Sequence, residues 1–204
     1  MFETDGYSEI PKTEGTVILG DDFGGVLAKG VTQNIQPLRD VSLQGIVGAT
    51  LEADLLLRRM PLLMRSPDGW MASFGTQLLK AVTGTSTYVI KTNSNGIEQV
   101  RVKQLNPIPT DSEGRVWVNW VAPKETSLQE MDVQGKVVIV GTTAKGILPQ
   151  VSTPVGLLYP HQIQASLAET IIHASNKRMP MIPQEAMLYE AVILVAGMLL
   201  VFTA

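Results

Sequence analysis

Cysteine is absent from the 204 residues, which excludes disulfides, thiolate metal sites and cysteine nucleophiles. The same absence leaves the redox compartment open, because a chain without thiols is at home on either side of a membrane. Histidine occurs only at His161 and His173, on one predicted helix and out of phase by a third of a turn, so the two do not share a metal. A solvated helix face is the expectation for both. Charge is sparse as well: 17% of residues are charged, and 16 basic against 19 acidic residues leave a formal net charge of -3. Such a balance builds no broad positive field, so nucleic acid is not an expected partner. The first ten residues, MFETDGYSEI, carry three acids, no base and no apolar stretch, and read as neither a signal peptide nor a membrane anchor.

What is present describes a folded chain. A hydrophobic content of 45% and this length suit one domain with a proper core and an appendage. The appendage is C-terminal. From Ala191 the chain reads AVILVAGMLLVFTA without a charge, and Glu190 is the only charge from Ala186 to the last residue. The run is apolar on all sides, as expected of a helix in lipid or at the centre of a large protein. A membrane span needs about 20 residues. The preferred reading is a membrane helix beginning near residue 186 and interrupted by the chain end; a terminal helix packed on this domain or on a partner is the alternative.

Periodicity places the other elements. GTVIL (15–19) reads as a strand, followed by a glycine-rich turn and a short helix. LLLRRMPLLMRS (55–66) reads as a longer strand with Leu56, Met60 and Leu62 on one face, and Pro61 marks an edge or a bulge there. Ser66-Pro67 predicts a helix start, with Met71, Phe74, Leu78 and Val82 on its apolar face and an end near Gly84. YVIKT (88–92) and IEQVRVKQL (97–105) flank Asn93-Ser94-Asn95-Gly96, a strong hairpin signal, with Val100 and Val102 on the buried face. RVWVNWV (115–121) alternates as a strand. KVVIVG (136–141) is continuously apolar and is expected at the buried centre of a mixed sheet. After the turn at Thr153 to Gly156, a helix over 161–175 buries Ile163, Leu167, Ile171 and Ala174, and NKRMPMIPQE (176–185) links it to the terminal run. The fold class is α/β, with α+β the alternative: a mixed sheet and two main helices.

No constellation demands catalysis. GTTAKG (141–146) is a glycine-bounded loop at a strand end, where exposed backbone N–H groups meet anions. It fails the phosphate-loop pattern, because Gly146 is followed by Ile147. A small-ligand crevice is the remaining use of such a loop. Glu52 and Asp54 suggest an acid–base pair, but pairing with Arg58 or Arg59 is the expected role. No serine stands in a nucleophile motif.

The order of these segments resembles the CHASE type 2 family, the cyclase and histidine-kinase associated sensory extracellular domains of bacterial receptors. The family's acidic pair, apolar pair, two arginines and Pro-Leu step are similar to Glu52, Asp54, Leu56, Leu57, Arg58, Arg59, Pro61 and Leu62. Its Ile-Pro-x-Asp and Gly-Arg step into a strand resembles Ile108, Pro109, Asp111, Gly114, Arg115 and Asn119. The most specific block is GKVVIVGTTAKG, then TPVG and a helix, over 135–175; together the likeness spans roughly residues 45 to 175. Leu55 stands where the family usually has glycine, Pro149 where an acid is common, and Gln162 and Gln164 where a Glu and a His are frequent.

The resemblance implies a non-enzymatic sensor domain over 1–183, lacking its N-terminal section, with a transmembrane helix starting in 186–204. It implies a place in the bacterial inner membrane, the domain facing the periplasm or outside, a homodimer, an extracytoplasmic small-molecule signal, and a cytoplasmic cyclase or kinase output domain beyond the chain. No cofactor is implied. Ligand contacts are expected at Arg58, Thr142, Thr143 and Lys145. A structural or dimerisation module that binds no ligand is the second reading, and an intracellular enzyme the third.

Overall fold

The computed structural model describes residues 15–22, 24–28, 34–66, 69–85, 87–121, 133–144, 146, 148–176 and 183–203. The element formed most locally is the hairpin of β6 (Tyr88–Asn93) and β7 (Gly96–Val102), where Asn93 Oδ1 accepts the Asn95 N–H at 2.8 Å. Gly96 has φ +127°, and any side chain there would run into the Ser112 carbonyl, so the turn requires glycine. β1 (Thr16–Leu19) adds parallel to β6, and β8 (Ile108–Pro109) adds antiparallel to β7, giving the sheet order β1-β6-β7-β8. Alternation is clean: Tyr88, Ile90, Val100 and Val102 are buried while Arg101 on the other face is exposed.

Two helices cover the buried face. α2 (Phe74–Thr83) starts at Ser73, whose Oγ accepts the Thr76 N–H, and ends on Gly84 in the left-handed region at φ +63°. α3 (Pro160–Ser175) packs on α2, with Ile163, Leu167, Ile171 and Ala174 in the core. The helices approach closely at Gly75, where a Cβ would lie 3.1 Å from the Leu167 side chain. Tyr88 is fully buried and donates its hydroxyl to Gln77 Oε1 at 2.6 Å, and burial pushes its phenol well above the ordinary value. Around this core lie three smaller sheets: β3 (Arg59–Pro61) with β9 (Arg115–Trp117), β10 (Val151–Thr153) with β11 (Gly156–Leu158), and β2 (Val26–Leu27), β4 (Leu63–Ser66) and β5 (Gly69–Ala72) in the order β2-β4-β5. The last buries a satellite cluster of Ala28, Ile46, Met64 and Met71. α1 (Gln36–Arg39) buries none of its residues. The class is α+β with several small sheets, the alternative expectation, rather than α/β with one mixed sheet.

The hairpin, the 161–175 helix face and the Gly84 stop form as expected. Three expectations are corrected. Residues 55–66 do not make one strand: Leu62 interrupts it, donating its N–H to the Gly114 carbonyl at 3.1 Å, and β3 and β4 join different sheets. Ser66 does not start a helix; it ends β4 and pairs with Gly69, so Met71 lies in β5 and the α2 face that packs inward carries Gly75, Thr76, Gln77 and Leu79, with Val82 exposed. Pro67 lies outside the described residues. Residues 136–141 form no strand, and Val137 and Val140 are 54% and 76% exposed. An all-apolar strand needs a neighbour on each edge and a layer on each face. Both interior places in the main sheet are filled by β6 and β7, whose pairing a local turn decides.

The terminal run is helical, as α4 (Pro183–Thr203), with Leu188, Val192, Ile193, Leu194 and Val195 exposed. Among the described residues no helix is long and apolar enough to cross a membrane, so the expected membrane helix finds no support there. Of the 176–185 link, residues 177–182 lie outside the described residues.

The α2–α3 contact gives the first expected outcome. Leu167→Ala, at a fully buried site facing Gly75, lowers unfolding free energy by about 3 kcal/mol, whereas Ile172→Ala, on the exposed side of α3, changes it by less than about 0.5 kcal/mol. Urea unfolding followed by circular dichroism measures both.

Candidate functional site

The polar groups that the fold brings together most densely begin at a tight turn. The Leu55 N–H bonds the Glu52 carbonyl at 2.9 Å, and the Glu52 N–H bonds the Leu56 carbonyl at 2.9 Å. Leu55 sits at φ +63°, a left-handed conformation that a branched side chain resists. Reversal of the chain here returns both carboxylates to the arginines that follow. Asp54 grips Arg58 with two bonds, at 2.8 and 2.7 Å, and Glu52 grips Arg59 through Nε and Nη2, both at 2.7 Å. The expected pairing of these acids with Arg58 and Arg59 is therefore observed, and an acid–base pair is not.

A second turn supplies the other half. Asp111 Oδ1 accepts the N–H groups of Glu113 and Arg115 at 3.1 and 2.9 Å, closing a turn in which Gly114 takes φ +77°. Asp111 Oδ2 then accepts Arg59 Nη1 and Arg115 Nε, both at 2.9 Å. Arg115 Nη2 also pairs with Glu113 at 2.7 Å, and the Arg59 guanidinium lies 5.7 Å from the Trp117 ring centre. Arg59 thus uses Nε and both terminal nitrogens, clipping the 52–55 turn to the 111–115 turn across the β3–β9 pair. Its side chain and that of Glu52 are each 21% exposed, and that of Asp111 is 16% exposed. Hydrogen bonds from Arg59 hold the Glu52 carboxyl below the ordinary glutamate range, against burial, with the charges of Arg59, Arg115 and Arg58 adding to the effect. Hydrogen bonding from Arg58 lowers Asp54 in the same way. Acids so firmly ionised make poor proton donors, and the clip's chemistry is to hold two turns together.

The expected ligand residues are arranged differently. Arg58 is engaged by Asp54, while its carbonyl accepts the Val118 N–H at 3.0 Å and the neighbouring Leu57 N–H bonds the Ser152 carbonyl at 2.9 Å. Thr142 Oγ1 accepts the Ala144 N–H at 3.3 Å, and the Thr143 carbonyl accepts the Tyr159 hydroxyl at 3.1 Å. Lys145 lies outside the described residues. Among the described residues no hydrogen bond joins Arg58 to Thr142 or Thr143; they are related through β10, which follows the 141–146 loop and is bonded to Leu57. Sequence reasoning missed Tyr159 and expected a solvated helix face for His161. The two rings stack at 5.9 Å, Gly141 lies so close to the His161 ring that any side chain there would collide with it, and His161 Nδ1 is buried without a partner. His161 is therefore packed rather than solvated, whereas His173 is 40% exposed and 3.6 Å from Glu169. The bare carbon of Gly141 was the available signal. Among the described residues no cluster of acids and histidines is arranged to hold a metal.

The clip residues are those of the Glu-x-Asp, Arg-Arg and Asp-x-x-Gly-Arg steps that carry the family resemblance. The family model for the CHASE2 domain matches residues 9–203, nearly the whole chain, and the chain belongs to that family. CHASE2 domains are sensory extracellular domains of receptors rather than catalysts. No curated protein and no solved structure matches the chain.

Two outcomes follow from the turn and the clip. Leu55 is 69% exposed, so Leu55→Gly loses little packing, relieves the left-handed strain and raises unfolding free energy by about 0.5–1 kcal/mol after glycine's own entropic cost; thermal unfolding reads it. Glu52 has its folded-state pKa depressed, so its contribution to stability is full above the unfolded value of about 4.3 and is lost as pH falls through the lower folded value. Glu52→Gln accordingly flattens the acid limb of the stability profile below about pH 4.3, measured by urea midpoints across that range, and leaves the profile above it parallel to that of the parent.

Proposed function

We propose that this chain is the input domain of a bacterial membrane receptor, binding an extracytoplasmic small-molecule signal and passing a conformational bias through α4 to a cytoplasmic cyclase or kinase output domain. The family match over residues 9–203 carries this reading. In it, residues 1–183 form the sensor, facing the periplasm or the outside of the inner membrane, and 186–204 begin a membrane helix. The uncharged run from Ala191 to the chain end, and the exposure of Leu188, Val192, Ile193 and Leu194, support lipid as the surroundings of α4. The receptor works as a homodimer, and the signal acts by binding one of two receptor states more tightly, since a ligand shifts an equilibrium only by what it distinguishes.

The proposed ligand contacts are Arg58, Thr142, Thr143 and Lys145. Their support is the loop bounded by Gly141 and Gly146, which is exposed at Thr143, together with the bond that ties β10 to Leu57 beside Arg58. Engaging Arg58 means exchanging the Asp54 carboxylate for a group on the ligand, which favours an anionic ligand. A ligand-free structural or dimerisation module is the competing reading.

A thermal-shift screen of small carboxylates and phosphates against the full chain in detergent, followed by calorimetric titration, tests the site. A binder whose affinity falls about tenfold or more in Arg58→Ala or Lys145→Ala supports it, on the loss of one charge-assisted bond; unchanged affinity in both removes it. Membrane placement is read separately. After alkaline carbonate washing of bacterial membranes, the full chain stays in the pellet and a chain lacking 186–204 does not; release of the full chain overturns the membrane helix.

A further inference from the structure

α3 is tied to its surroundings by polar bonds at three buried positions along its core-facing side, two through side chains and one through a main-chain carbonyl. Gln164, Thr170 and Ser175 are 2%, 1% and 8% exposed. Each position is tied to a different element. Gln164 Oε1 accepts the Gly75 N–H at 3.1 Å, in the first turn of α2. Thr170 Oγ1 accepts the Asn119 N–H at 2.9 Å, just beyond β9, and donates to the Ser166 carbonyl at 2.7 Å. At the helix end, Asn106 Nδ2 donates to the Ser175 carbonyl at 2.6 Å from the segment between β7 and β8. The first and last bonds are separated by roughly 16 Å along the helix.

Ile163, Leu167, Ile171 and Ala174 recur at turn spacing, so their packing, with Leu167 over Gly75, resists small slides of α3 but leaves its position open by whole turns. The three polar bonds do fix it. A slide of one turn, about 5.4 Å, takes all of them past bonding distance and leaves the Gly75 and Asn119 N–H groups without these acceptors. We propose that these bonds form one latch that sets the axial position of α3, so that the helix is held or released as a unit. α4 follows α3 in the chain, so an axial shift of α3 is the movement that α4 would receive. That last step rests on the sensory reading; the latch itself does not.

Native-state hydrogen exchange of the full chain in detergent, resolved by NMR, tests the latch. Asn106 is exposed, so Asn106→Ala leaves the core packing in place. The expected result is that the Gly75 and Asn119 amides, neither of them hydrogen-bonded to Asn106, both exchange about fivefold faster or more, while Ile90 in the central hairpin is unchanged. Thr170→Val likewise accelerates Gly75 as well as Asn119, and Thr170→Ser, which keeps the acceptor oxygen, restores both. Acceleration confined to the mutated contact shows three independent bonds and overturns the latch. Acceleration of Ile90 by the same factor reports global opening and overturns it as well. A failed ligand screen leaves these rates untouched and bears only on the sensory reading.

Discussion

The bonds between Arg59 and two carboxylates from distant parts of the chain are the constraint on which the outer half of the domain depends. Glu52 precedes β3 and Asp111 precedes β9, and both carboxylates accept from the one guanidinium. A lysine at 59 would supply charge without the planar fork that takes Glu52 through two nitrogens and Asp111 through a third. Removing the guanidinium would leave partly buried acids facing each other, which is why the clip is more than the sum of surface ion pairs. Once the clip is closed, the register of β3 on β9 follows: Arg59 opposite Trp117 and Pro61 opposite Arg115. Leu62 can then turn its amide to Gly114 and send the chain into a second sheet.

The helix layer depends on a different device. α2 and α3 meet over Gly75, where only the missing side chain lets Leu167 approach. That contact sets where the helices meet, and the rest of the apolar packing stabilises without choosing hydrogen-bond partners. The buried Gln164, Thr170 and Tyr88–Gln77 bonds supply the specificity, since each buried donor or acceptor costs free energy in any arrangement that leaves it unpaired. Arg59 fixes loops by charge at a half-buried rim; the helices are fixed by neutral hydrogen bonds inside the core.

How much of this was legible in the sequence follows from how local each decision is. The β6–β7 hairpin and the buried face of α3 could be read because the turn residues and the 3.6-residue spacing lie within the elements themselves. The pairing of Glu52 and Asp54 with the two arginines was legible for the same reason. The wider clip was half visible: Asp111, Gly114 and Arg115 stood out through resemblance, but nothing local says that Arg59 reaches a residue 52 positions away. Ser66-Pro67 misled because a good helix start is also a good strand end, and the choice was made by Met64 and Met71 closing a satellite cluster with Ala28 and Ile46. KVVIVG misled more deeply. Its composition states that it favours a buried strand, and composition cannot state which neighbours would receive it.

Of the four positions that depart from the residues usual in the resembled family, Leu55, Gln162 and Gln164 fall on the scaffold, and Pro149 is exposed between the 141–146 loop and β10. Leu55 replaces the usual glycine at the left-handed corner of the turn that aims Glu52 and Asp54, so the substitution strains the turn without changing which groups the clip joins. Gln162 accepts the Tyr159 N–H through Oε1 at 2.8 Å and so caps the start of α3. Gln164 does the same for the start of α2 through Gly75. A glutamate at 162 offers the same acceptor with a charge that a helix N-terminus favours, and a neutral histidine at 164 offers a single acceptor nitrogen at a similar place. Each replacement therefore preserves a hydrogen-bonding role while removing charge, strain relief or ring volume. On this account these three departures tune how tightly the turn and the helix starts are held, and none of them lies in the 141–146 loop or at Arg58.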